Sequence, residues 1–153
     1  MKSKIIYFVA IILSIGASAC NVNSTNTSAE AGKEPWTEAE LMPPAKLNEL
    51  LTSQELLSVV VFNIGPSGKI KNSVEIGPTQ EQENLENLKK QLSTVSKDKE
   101  VVIYCGCCPF KNCPNIRPAF ALLKDLNFQK PRLLNLADNL KVDWIDKGYP
   151  MME

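Results

Sequence analysis

Two apolar, β-branched runs constrain this 153-residue chain most: LLSVVVFNI (Leu56–Ile64) and EVVIYC (Glu100–Cys105). Both are short and lack the alternation of a half-exposed strand, so each reads as a strand buried on both faces. Such strands need helices above and below, and the sequence supplies them. Thr37-Glu38-Ala39-Glu40 has the form of a capping start, and the helix proper is expected to begin around Pro43-Pro44. Its apolar stripe runs through Leu47, Leu50, Leu51 and Leu56. Leu85, Leu88, Leu92 and Val95 lie at helical spacing in a charged background. Ala119, Leu122, Leu123 and Leu126 mark another helix, expected to end near Asn127, and Val142–Lys147 a last short one. Ser73–Ile76 and Arg132–Leu136 read as further strands, and Gly148-Tyr149-Pro150 closes the domain. The alternation predicts an α/β domain with a small parallel sheet flanked by helices on both faces. In such sheets ligands bind beyond the carboxyl ends of the strands.

The first 33 residues carry a different pattern. Lys2 and Lys4 precede an apolar core, Ile5–Ile15, too short for a comfortable membrane span, and Gly16–Ala19 are small. That order predicts a secretory signal over residues 1–19. Ala17-Ser18-Ala19-Cys20 resembles the lipobox of bacterial lipoproteins, with alanine where leucine is usual. The resemblance implies cleavage before Cys20, its acylation, and an exported protein held in the cell envelope by several acyl chains. Asn21–Lys33 is small and polar, so residues 20–33 read as anchor and tether and residues 34–153 as the domain. The whole chain has 17 basic and 17 acidic residues; losing Lys2 and Lys4 leaves 15 cations against 17 acids, a net charge of −2. Nothing in that balance calls for a nucleic-acid partner.

The second buried strand ends in CGCCPFKNC (Cys105–Cys113), which holds four of the five cysteines. Histidine is absent, which excludes a Cys-His pair and any histidine-ligated metal. Three chemistries stay open. Cys105 can be a nucleophile, with Cys107, Cys108 and Cys113 as resolving or acceptor thiols. Cys105, Cys107, Cys108 and Cys113 can supply four soft ligands to Zn²⁺ or Cu(I), although their spacing is not that of two separated zinc knuckles. Outside the cytoplasm the same four can pair as disulfides in three ways.

The order of these pieces resembles a rhodanese domain. GKIKNSVEIGP (Gly68–Pro78) is similar to the family's Gly-His-Ile turn, with Lys69 for the histidine. VVIYC is similar to its nucleophile strand, RPAFALLKDLNF (Arg117–Phe128) to its arginine and following helix, and DWIDKGYPM (Asp143–Met151) to its ending. The resemblance covers roughly Trp36–Met151. It implies transfer of sulfane sulfur through a Cys105 persulfide, with a small sulfur-containing anion as donor, a thiol acceptor, and no required cofactor. It also implies that Arg117 and the helix amino terminus hold the anion. Pro118 restricts that helix start to Asn115 or Ile116, with Asn115 as the expected cap. Two departures stand out. Asn63 replaces the usual aspartate, and eleven residues separate Cys105 from Arg117, a far longer loop than is typical of the family. Loop length selects substrate in this family, so thiosulfate in particular is in question. Trp36 and Trp144 read as packing residues, Asp143 and Lys69 as solvated charges, and the domain as a monomer.

Overall fold

The structure, a computed structural model, describes residues 34–53 and 58–152. The signal, Cys20, the tether and Leu56 lie outside the described residues. Five strands, β1 (Leu41–Met42), β2 (Val59–Asn63), β3 (Ser73–Glu75), β4 (Glu100–Tyr104) and β5 (Lys130–Leu134), form one sheet in the order β1-β5-β4-β2-β3. All pairings are parallel, with Val61 opposite Val102 and Leu41 opposite Leu133. Four α-helices, α1 (Pro44–Thr52), α2 (Gln82–Leu92), α3 (Ile116–Asp125) and α4 (Leu140–Asp143), cover it.

Alternation along β4 divides the core in two. Val101, Ile103 and Cys105 point to one side, where Leu88 and Leu92 of α2 and Ile116, Ala119, Phe120 and Leu123 of α3 pack. Val102 and Tyr104 point to the other, against Leu47, Leu50 and Leu51 of α1 and Leu140 and Trp144 beside α4. This is the expected α/β arrangement, with helices on both faces. A parallel central strand must be apolar on both sides, which is why β2 and β4 read as unbroken runs.

Several boundaries differ from expectation. The Thr37/Glu40 capping box forms, but it caps only a 3-10 turn, Glu38–Glu40. The chain then enters the unanticipated edge strand β1 before α1 begins at Pro44, as its proline pair requires. β5 starts two residues earlier than Arg132 and ends before Asn135. The expected helix at Val142–Lys147 breaks at Trp144 (φ −132°, ψ −60°) into α4 and a 3-10 turn, Ile145–Lys147. Trp144 is fully buried and donates from Nε1 to the Pro150 carbonyl (3.1 Å), so its packing overrides helical continuity. α3 stops at Asp125, with Asn127 in the left-handed conformation (φ 58°). Asp143 accepts from the backbone N–H groups of Asp138 (2.8 Å) and Asn139 (3.1 Å) and so closes the start of α4. Lys69 pairs with Glu75. Among the described residues, no helix is long and apolar enough to cross a membrane.

Candidate functional site: a thiol cluster beyond β4

Cys105 follows β4 directly, and two other segments fold over it. The first is the turn after β2. Buried Asn63 accepts from the Gly65 N–H (3.2 Å) and donates to the Ser67 carbonyl (2.9 Å), which winds residues 63–67 back across the sheet end. Asn63 thus organises this turn from the position where aspartate is usual. Ser67 Oγ accepts from the Gly106 N–H (2.8 Å), tying the two loops together. Gly65 lies so close to the thiol that a Cβ there would sit 2.3 Å from Cys105 Sγ. Gly106 is equally constrained, since a Cβ would sit 2.4 Å from Leu140 Cβ. Both positions require glycine for close approach rather than for backbone conformation.

The second segment is the long cysteine loop itself. Phe110 is buried, and its N–H donates to the Leu136 carbonyl (3.1 Å). Its ring packs on Trp36 (centroids 6.0 Å apart), which also meets Phe120 of α3 edge-on (5.9 Å). This aromatic anchor makes the inserted loop part of the core and returns Cys113 toward Cys105. Trp36 and Trp144 are therefore packing residues, as expected.

All four loop cysteines are free thiols: Cys105 and Cys113 buried, Cys108 half-buried, Cys107 exposed. Cys105 Sγ lies 3.4 Å from Cys107 Sγ, which lies 3.4 Å from Cys108 Sγ. The sulfurs of Cys105, Cys107 and Cys113 all fall within 4.8 Å of one another, a grouping that can hold a metal ion; Cys108 is not in it. The four-ligand set expected from the sequence is thus a triad with a neighbour.

Asn115 is the residue whose role the sequence misassigned. It is helical itself (φ −73°, ψ −29°) and makes no side-chain cap. Instead its buried Nδ2 donates to Cys105 Sγ (3.4 Å) and Cys113 Sγ (3.7 Å), while its Oδ1 accepts from the Gln80 N–H (3.1 Å). Its carbonyl accepts from Thr79 Oγ1 (2.6 Å). A buried amide held at both ends can present only its donor to the sulfurs. The sequence signal was a polar residue in the first turn with no other polar partner nearby, which fits a cap equally well.

These donors act on Cys105. Hydrogen bonding from the Cys113 thiol outweighs burial and, with the Asn115 amide and the Cys107 N–H and thiol, brings the Cys105 pKa down to about 5. The neighbours respond in the opposite sense. The Cys107 residue is exposed but its sulfur is partly desolvated; that desolvation, with the Cys105 and Cys108 thiols beside it, pushes its pKa up to about 12. Cys113 is also pushed up, by donating to Cys105 and then by burial. The cluster therefore holds one thiolate among protonated thiols.

Arg117 sits on the rim. Its Nη2 donates to Glu34 Oε1 (2.8 Å) and to the Lys111 carbonyl (2.9 Å), and its guanidinium lies over Trp36 (5.6 Å). These contacts brace the loop. The donors identified at Cys105 are Cys113, Asn115 and Cys107.

No family model matches the sequence, and no curated protein matches it. Among solved structures the fold is similar to EanB in complex with hercynine. A cysteine-to-serine variant aligns with TM-score 0.53 over 73% of this chain, a double cysteine-to-alanine variant with 0.54 over 74%, and a threonine-to-valine variant with 0.56 over 79%. Identity is 14% in each case, so the likeness concerns the fold. The chain spans 27–29% of the length of those structures, less than a third.

Proposed function

We propose that this domain transfers sulfane sulfur through a persulfide on Cys105. The observation that carries the reading is the convergence of the Cys113 thiol, the Asn115 amide and the Cys107 N–H on a buried sulfur at the end of β4. A thiolate stabilised by hydrogen bonds needs no general base, which suits a chain without histidine. The thiolate attacks the outer sulfur of a donor; the S–S bond of the donor breaks, the donor's remaining sulfur leaves as an anion, and Cys105 keeps one sulfur as a persulfide. A thiol then removes it. The short reach into the cluster favours a compact persulfide or polysulfide donor over thiosulfate. In the same reading residues 1–19 export the chain, lipidated Cys20 holds it in the cell envelope, and Arg117 steers the anion at the rim.

Intact mass after incubating the reduced protein with inorganic polysulfide tests this. A gain of roughly 32 Da, one sulfur atom, is expected, and it disappears in Cys105→Ala. A wild-type protein that gains no sulfur from any sulfane donor overturns the reading.

A second reading rests on the thiol triad. Three thiolates suit a soft ion, Cu(I) or Zn²⁺, with Cys105, Cys107 and Cys113 as ligands. Anaerobic titration with each metal, followed by native mass, distinguishes one bound ion per chain from none.

A further inference from the structure

Cys105 carries the reactive sulfur in the proposed reaction but is 1% exposed. Gly65 closes one side, with no room for even a methyl group between it and the sulfur. Asn115 and buried Cys113 occupy another. The remaining sulfur neighbour, Cys107, is the exposed member of the cluster, and its Sγ is in contact with Cys105 Sγ at 3.4 Å. A bulky acceptor thiol has no path to Cys105, whereas Cys107 touches both the buried sulfur and solvent.

We propose that Cys107 is the exit thiol: it takes the sulfane sulfur from the Cys105 persulfide and presents it to large acceptors outside. This rests on the sulfur-transfer reading and gives the inserted loop a purpose within it. Cys107 loses its proton to solvent and attacks the outer sulfur of the Cys105 persulfide. The S–S bond to Cys105 breaks, Cys105 leaves as a thiolate, and Cys107 becomes the persulfide. One S–S bond is exchanged for another, so no oxidant or reductant is consumed. The leaving thiolate returns to the donors that favour it, Cys113 and Asn115. Cys113 has a different duty in this scheme. Buried and hydrogen-bonded, it holds the anion and is not an outlet.

The test uses the reduced full chain, loaded with inorganic polysulfide and freed of excess donor. Two discharges are compared: cyanide, small enough to enter the cluster, and a reduced protein thiol such as thioredoxin. Cys107→Ser is expected to load one sulfur and to discharge it to cyanide within about threefold of wild type, which shows an intact site. Its discharge to the protein thiol is expected to fall at least about tenfold, the scale on which loss of one reacting group is read. Equal discharge of wild type and Cys107→Ser to the protein thiol overturns the relay while leaving sulfur transfer standing. So does loss of two protons from the loaded wild type with release of sulfide, which would mean that Cys107 attacks Cys105 Sγ and closes a disulfide. Failure of wild type to load at all overturns both.

Discussion

The two ends of the parallel sheet differ in a way that separates space from chemistry. At the amino ends of β4 and β5, beside β1, lies a cavity of about 250 Å³ lined by Leu41, Met42, Leu50, Glu100 and Arg132. Its charges are mutually satisfied: Arg132 Nε bonds Glu100 Oε1 (2.7 Å) and Nη1 bonds the Ala39 carbonyl (2.6 Å). Five residues further along β4, about 16 Å at strand rise, the carboxyl end has no comparable void and four thiols packed between two loops. The open end offers room without a reactive group. The closed end offers a thiolate whose donors are fixed by buried backbone. Reactivity follows pre-organised donors rather than volume, and changes at the two ends are expected to behave accordingly.

The sharpest break is Gly65→Ala. Its Cβ would meet Cys105 Sγ at 2.3 Å and Cys105 Cα at 3.3 Å, so the sulfur must leave its donors. Persulfide loading is expected to fall at least about tenfold, and overpacking of this kind costs about 1–3 kcal/mol in chemical denaturation. Normal loading in this variant would show that the observed sulfur position is not the reactive one.

Asn115→Ala comes next. It removes one donor from Cys105 and leaves the Gln80 N–H without its partner. The expected cost is about 1–3 kcal/mol of stability, the penalty for an orphaned buried group. The Cys105 pKa moves upward, readable as a shift in the ultraviolet thiolate absorbance, so loading weakens most below neutral pH.

The pH dependence is smaller and has a worked sign. Cys105 titrates at about 5 in the fold against about 8.5 unfolded, so its contribution to stability is present above the unfolded value and lost as pH falls toward 5. Cys107 is raised to about 12, so its contribution is complete below the unfolded value and lost as pH climbs toward 12. The difference in Tm between wild type and Cys105→Ser is therefore expected to grow from pH 5 to about 8.5. A difference that is flat across that window would contradict the single-thiolate cluster.

The smallest effect belongs to the open end. Arg132→Ala breaks a half-exposed ion pair, so less than about 1 kcal/mol is expected, with persulfide loading unchanged. Impaired loading in this variant would mean that the two ends communicate.

Much of the framework was legible in local sequence. Val59–Asn63 and Glu100–Tyr104 are strands because their β-branched runs have no polar face to expose. Pro44 opens α1 because a proline tolerates only a first turn. Cys105 was placed at a strand's carboxyl end by the length of its run. β1 was missed because two residues carry no periodicity; it exists through pairing with β5. The break at Trp144 was missed because burial of one large ring against Pro150 decides it.

What the sequence determined by itself, then, was an α/β domain and the strand end from which Cys105 emerges, since periodicity and steric limits act within a few residues. Tertiary structure alone decided which groups meet that sulfur. Gly65 arrives from the turn after β2, Cys113 and Asn115 from the far side of an eleven-residue insertion anchored by Phe110 on Trp36. Asn115 had equal local reasons to cap a helix. It became a thiolate donor because the Gln80 N–H, 35 residues away in sequence, holds its carbonyl oxygen and turns its amide nitrogen inward.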